Sequence, residues 1–505
     1  MRRMDRKYRR YLVRVGLVSV GVWAVMPHTS DAQTALTNTE AVTFTKDVAP
    51  ILQRHCQECH RTDSMAPMSL VTYQETRPWA RSIKERVVSR EMPPWYADQR
   101  YGKFLNEMAL TQEEIDVIVA WADAGAPEGT GEAPALPIFA GGWVHPSGAD
   151  PDFVIEMPIE YEIPAQGQSE NFSIYQEMPA DWTEDKFIEA IQIKPGNMEV
   201  THHSSIGVRD LPPGTKLGVG EAWPGGPVIS NVPVAIDEGV EFNNAVDRSE
   251  AEEAGEEARR AATEADVFAV AGTSHLQFYI PGAAFRQFRP GVGKRIRHDK
   301  YLVWGLHYNA TGKPETDRQQ AGFWWHTEPM THEVLSHRIG ETHIAESKEL
   351  MAASEGSSAL RYMRARIPVI PPHDPDWSIT AITAFKDDVT VYYLYPHMHL
   401  RGKDMTFVVT YPDGREQVIL HVPNYDFNWQ IQYELAEPLK LPAGTTIKTI
   451  GHFDNSASNR YNPAPDREVY WAEQSWDEMF TGRVDFTIDK LDLRLEENRP
   501  QTEEQ

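Results

Sequence analysis

Residues 395–403 read Tyr395-Pro396-His397-Met398-His399-Leu400-Arg401-Gly402-Lys403. They follow the apolar run 389–394, whose length and composition suit a β-strand. Successive strand side chains point to opposite faces, so His397 and His399, two apart, project to the same side. Two imidazoles at that spacing can hold a transition metal, and they can equally be ordinary polar residues at a strand end. Short apolar or alternating runs broken by Gly, Pro and Asp recur at 187–193, 278–280, 301–307, 447–452 and 484–495. Runs 405–410 and 416–421 flank Tyr411-Pro412-Asp413-Gly414, which has the chemistry of a hairpin turn. This texture predicts all-β sandwiches.

With 505 residues the chain is long enough for about three domains. Its net charge of −25 excludes nucleic acid and anionic lipid surfaces as natural partners. Arg2, Arg3, Arg6, Arg9 and Arg10 precede the apolar run 12–26, interrupted only by Arg14, and Ser30-Asp31-Ala32 supplies small residues after it. The arrangement predicts a signal peptide over 1–32 with cleavage after Ala32, and hence a periplasmic or secreted protein. The competing reading, an uncleaved anchor, meets an apolar run that is short for a bilayer span. No later stretch is long and apolar enough to cross, so stable membrane insertion is not expected.

An exported chain often spends cysteines on disulfides, yet this one has only Cys56 and Cys59. They stand in Cys56-Gln57-Glu58-Cys59-His60, the attachment pattern of a covalent c-type haem: two thioethers anchor the porphyrin and the adjacent imidazole reaches the iron. A redox Cys-x-x-Cys pair would need a βαβ pattern that is not visible, and a zinc site would need more cysteines. Residues 45–55 read as a helix. Thr111-Gln112-Glu113-Glu114 opens another with a capping box, followed by Ile115, Ile118, Val119 and Ala122 at helical spacing and Gly125 as the stop. Residues 40–127 thus resemble a small all-α cytochrome c domain. Its sixth iron ligand is expected to be Met92, in the stiff Met92-Pro93-Pro94-Trp95 loop, with Met65, Met68 and Met108 as rivals. Residues 128–150, rich in Gly, Pro and Ala, read as a linker. The Ala/Glu-rich stretch 249–266 reads as a solvated surface helix without chemistry.

Three further features bear on metals. His202-His203 follows the turn Pro195-Gly196-Asn197; neighbours on a regular strand diverge, so both reach one ion only at a twisted end or a bulge. His307 closes an apolar strand in Leu306-His307-Tyr308. A three-imidazole set would suit copper or zinc. Met479, in Asp477-Glu478-Met479, taken alone reads as core filler.

Together these motifs resemble the catalytic core of the ascorbate-dependent type II copper monooxygenases, the group of peptidylglycine α-hydroxylating monooxygenase and dopamine β-hydroxylase. The resemblance covers two regions, 151–340 and 341–495, and implies two jelly-roll-like sandwiches with one copper on each. His202, His203 and His307 match the ligands of the electron-transfer copper. His397, His399 and Met479 match those of the oxygen-binding copper. The implied reaction inserts one atom of O2 into a C–H bond of a small-molecule substrate, with electrons from a redox partner or small reductant. Two departures stand out. Tyr395 occupies the position where peptide-amidating enzymes carry an Arg that grips the substrate carboxylate, and Thr481 and Arg483 replace its Asn and Tyr helpers. A glycine-terminated peptide is therefore not the expected substrate. The expectation is a small all-α cytochrome c domain followed by two all-β copper domains, acting as an exported haem- and copper-dependent monooxygenase. The alternative is a haem/copper electron-transfer or copper-binding protein without oxygenase activity.

Overall fold

Alternating burial builds the β framework. In Thr446–Phe453 every second residue is buried, and Trp377–Ala384 buries Ile379, Ala381 and Thr383 while the residues between them stay partly or fully exposed. That period of two marks sheets with one solvated face. The computed structural model describes residues 41–62, 64, 66–131, 134–135, 142–166, 172–209, 215–219, 230–235, 273–280, 283–340, 369–469, 471 and 475–498. The signal-peptide reading of 1–32 and the helix reading of 249–266 lie outside these residues, as does Met65.

The first β region has two main sheets. One runs Phe153–Glu156, Gln320–Trp325, Lys186–Lys194, Val292–Ile296, His332–Glu333, with Phe285–Gln287 also paired to Lys186–Lys194. The other runs Phe172–Glu177, Tyr301–Tyr308, Thr201–Arg209, Thr273–Tyr279. Ile188, Ile191, Ile193, Ile206, Leu276 and Trp304 belong to the apolar core these strands share. The second region likewise pairs Leu335–Gly340, Phe480–Ile488, Val389–Met398, Tyr433–Leu441 in one sheet and Trp377–Ala384, Thr446–Phe453, Gly402–Thr410, Glu416–Val422 in another. Leu335–Gly340 already pairs with Phe480–Ile488, so the chain passes from one region to the other at Val334. The strand predicted at 389–394 continues through His397 to Met398.

Phe480–Ile488 is buried along its whole length, on both faces. One face packs into the second core through Phe480, Val484 and Phe486. The other carries Asp485, which meets Arg286 at 2.7 Å and Lys294 at 3.2 Å, both from strands of the first region. Ser336 also donates to this carboxylate. The buried pairs hold the Asp485 carboxyl well below the usual range even though burial alone would raise it. The two β regions are joined by these desolvated charges as well as by apolar surface.

The expectation of a small all-α cytochrome c domain is overturned. The molecule is mostly β-sheet, and the helices α1 (Ala49–His55), α2 (Tyr73–Thr76), α3 (Ala80–Val88) and α4 (Gln112–Asp123) are short. Locally the capping box holds: the Thr111 side chain accepts from Glu114 N, and Glu114 accepts from Thr111 N. Gly125 follows with a left-handed φ of 86°. These helices enclose a modest core around Leu52, Ile118 and Trp121. The stretch between α3 and α4 gives Leu110 to that core, but most of its apolar side chains go elsewhere. It delivers Trp95, Ala97 and Phe104 to the core of the second β region. Phe104 forms a β-bridge with Leu435, and Asn106 donates to Gln432 O at 2.6 Å and accepts from Glu434 N at 3.0 Å. The all-β part agrees with the sequence expectation. No described helix is long and apolar enough to cross a membrane.

Candidate metal centre

His203 stands directly opposite His307 in the antiparallel ladder between Thr201–Arg209 and Tyr301–Tyr308. The next pair is Tyr308 with Thr201, so His202 is the extra residue of a bulge. The bulge turns two adjacent side chains toward one point, which a regular strand cannot do. His202 Nδ1 lies 3.3 Å from His307 Nδ1 and 3.2 Å from His203 Nδ1. The edge of a tetrahedron with metal–nitrogen bonds of about 2.0 Å is about 3.3 Å, so the three imidazoles already have ligand spacing. His202 Nε2 faces Asn428 Oδ1 at 3.2 Å. An amide oxygen only accepts, so that nitrogen carries the proton and Nδ1 keeps its lone pair. Burial, then the neighbouring imidazoles, pushes His203 and His307 well below the ordinary histidine range; burial lowers His202 as well. Neutral rings with converging lone pairs are what a cation requires.

The second set is built on Val389–Met398 and the turn after it. His397 Nδ1 donates to Gln430 Oε1 at 2.6 Å, and the same oxygen accepts from the Tyr395 hydroxyl at 3.1 Å. Gln430 is itself oriented by donating to Phe427 O at 3.1 Å. His399 Nδ1 donates to Asp477 O at 3.3 Å. Both rings thereby offer Nε2 as the ligand atom, whereas the first set offers Nδ1. The rings of His397 and His399 meet edge to face with centroids 5.2 Å apart. His397 pairs with Thr481 and Met398 with Phe480 in the ladder to Phe480–Ile488. The ladder ends at that pair, and His399 and Met479 are the residues that flank its end, one on each segment. Tyr395 stacks on His397 at 6.2 Å and pairs across the ladder with Arg483.

Sequence reasoning passed over two elements that organise these side chains. Glu478, fully buried, accepts from His399 N at 2.8 Å and Arg401 N at 2.6 Å, and so pins the turn after His-x-His. Burial pushes its carboxyl up to about 8. The Arg401 guanidinium reaches Asn455 Oδ1 and Trp476 O, both at 2.9 Å, which fixes the segment that leads to Met479. The second element is the loop Tyr425-Asp426-Phe427-Asn428-Trp429-Gln430. The Phe427 ring lies 5.5 Å from His202, 5.8 Å from His307 and 5.7 Å from His399, centroid to centroid. The two histidine sets therefore flank one phenyl group. Nothing in a lone Phe between two polar residues signals this; it follows from the packing of two regions distant in sequence.

At the N-terminal motif, His60 N bonds to Cys56 O at 2.9 Å and Cys59 N to Cys56 O at 3.2 Å, a tight turn that gathers both thiols and the imidazole. His60 Nδ1 donates to Met68 O at 3.2 Å, leaving Nε2 for a metal. Burial raises the free thiols of Cys56 and Cys59 to about 12 and about 11. A redox-active pair needs the opposite shift. The methionine brought to His60 is Met68, through its backbone. Met92 N bonds to Arg86 O at 3.3 Å, Met108 O accepts from His55, and no described contact joins either residue to His60.

No family model matches the chain, and no curated protein matches it. Among solved structures, PNGF-II in its C2 crystal form is similar over 66% of this chain and 64% of that chain, at 8% identity and a TM-score of 0.21. The infectious bursal disease virus Gx strain structure covers 67% of this chain and 72% of its own, at 7% identity and a TM-score of 0.16. The chain spans less than two thirds of the PNGF-II chain. Scores this low carry no argument about fold or function.

Proposed function

We propose that this chain is an exported haem- and copper-dependent monooxygenase that hydroxylates a C–H bond of a small-molecule substrate with O2. One observation carries the reading: two imidazole sets of different composition and opposite ligating nitrogens face the same phenyl group. His202, His203 and His307 would hold one copper; His397, His399 and Met479 would hold the other. Bound there, the pair of coppers would supply electrons singly and react with dioxygen, the softer thioether-containing set favouring Cu(I). The protein's own part is to keep five imidazoles aimed. Asn428 fixes the tautomer of His202; Gln430 and the Asp477 carbonyl fix those of His397 and His399. Tyr395 presents a hydroxyl and an aromatic face beside His397 where a carboxylate-gripping cation would otherwise stand.

Cys56, Cys59 and His60 would hold a c-type haem, with the His60 Nδ1 bond to Met68 O leaving Nε2 for the iron. The haem would pass single electrons to the copper sites, with a redox partner or small reductant as donor. The test is haem and copper analysis of the purified chain, then turnover in 18O2 against cell extract. Labelled product that disappears in His397→Ala supports the reading. Two coppers bound with no oxygen consumed after reduction favours the electron-transfer alternative, and failure to retain about two coppers per chain overturns both.

A further inference from the structure

The loop that separates the two histidine sets is anchored at both ends to the His-x-His strand and in its middle to His202. Tyr425 accepts from Met398 N at 3.0 Å and donates to Met398 O at 2.7 Å, which ties its start to the His-x-His strand. Asp426 Oδ1 accepts from both Asn428 N and Asn428 Nδ2 at 2.9 Å, so the Asn428 amide is held with its oxygen toward His202. Gln430 closes the loop on His397. Between them Phe427, 9% exposed, also touches the His203 ring at 6.2 Å, so one phenyl group abuts four imidazoles.

We propose that Phe427 is a positioning residue that keeps the two metal sites separate, and that Asn428 and Gln430 orient one ligand in each of them. The inference rests on the two-copper reading above. Five imidazoles gathered around one point would compete for a single ion, because soft transition metals take whatever nitrogen donors can reach them. A phenyl ring offers no ligand atom and fills the space through which the two sets would otherwise collapse. It holds their spacing without contributing charge. Because a single loop positions both sets, their separation is set by one rigid element and not by the mobility of two regions.

The test uses the full chain loaded with Cu(II), with copper content and continuous-wave electron paramagnetic resonance as readouts. The wild type should hold two coppers per chain and show two magnetically separate signals whose spin count matches the copper bound. Phe427→Ala should lose EPR-visible intensity relative to bound copper, or retain one copper where the wild type holds two. Phe427→Leu, which keeps apolar bulk, should retain both signals. Asn428→Ala should perturb only the three-histidine signal and Gln430→Ala only the other. A folded Phe427→Ala with both signals and the full spin count overturns the spacer role. Should that variant not fold, Asn428→Ala or Gln430→Ala shifting both signals, or neither, overturns the proposal in its place. A wild type that binds fewer than two coppers removes the two-site reading itself, an outcome distinct from failure of the spacer alone.

Discussion

Glu478 gives the sharpest energetic test of the site. Its carboxylate takes two buried backbone N–H groups, those of His399 and Arg401, and lies 4.0 Å from the Arg401 guanidinium. Glu478→Ala strands both donors away from water. Each unsatisfied buried N–H costs ~1–3 kcal/mol, so the variant should lose ~2–6 kcal/mol of stability. That is a large share of the ~5–15 kcal/mol that holds a typical domain together. Glu478→Gln keeps one acceptor oxygen and turns an NH2 toward the other donor, so it should lose about half as much. The pH dependence has a definite sign. Burial raises the folded carboxyl from its ordinary 4.5 to about 8, so the native state binds this proton more tightly than the unfolded chain. The contribution is fully present below about 4.5 and is lost as pH rises through about 8. Gln does not ionise, so the penalty of Glu478→Gln should be largest near the bottom of that window and shrink toward its top. Urea unfolding of wild type and both variants across this range measures the effect. An Ala variant within ~1 kcal/mol of wild type, or a Gln penalty that grows with pH, refutes the reasoning.

Gln430→Ala removes the acceptor that fixes the His397 tautomer and should weaken copper at the His397/His399/Met479 set ~10–100-fold, measured by chelator competition, with the three-histidine set unchanged. Asp485→Ala leaves Arg286 and Lys294 buried without their carboxylate and should cost ~3–5 kcal/mol in urea unfolding. Phe104→Ala empties a slot between Trp95 and Tyr433, whose rings lie 5.9 Å and 5.2 Å from it. It should cost ~3–5 kcal/mol and expose 95–108 to limited proteolysis.

What the sequence discloses depends on how local each interaction is. The His-x-His spacing, the Thr111 capping box and the Cys-x-x-Cys-His turn are settled within a few residues, and each forms where its pattern predicts; the strand expected at 484–495 instead runs Phe480–Ile488 and gives way to turns after it. The His202 bulge depends on pairing with a strand 105 residues away, and no periodicity encodes it. The all-α expectation failed for a related reason. Residues 89–111, with the stiff Pro93-Pro94 pair, read as a loop within a helical domain, yet Trp95 and Phe104 find a larger apolar partner in Tyr433 and Leu435. Burial against the bigger core wins, because apolar free energy scales with the area removed from water and not with proximity along the chain.

The same competition explains how the site is held. Trp95 and Phe104 pack on Tyr433, and Asn106 bonds to Gln432 O, two residues beyond Gln430. The segment that leaves α3 therefore braces the far side of the loop whose near side orients His202 and His397. A loop carrying Phe427, Asn428 and Gln430 would by itself be a mobile connection between two strands. Clamped between the N-terminal segment and the His-x-His strand, it has few alternative positions, and imidazoles whose tautomers it fixes inherit that rigidity. Ligand geometry in this molecule is thus set by an insertion of the helical region into the β core, and loosening Phe104 should be felt at His397 before it is felt at His307.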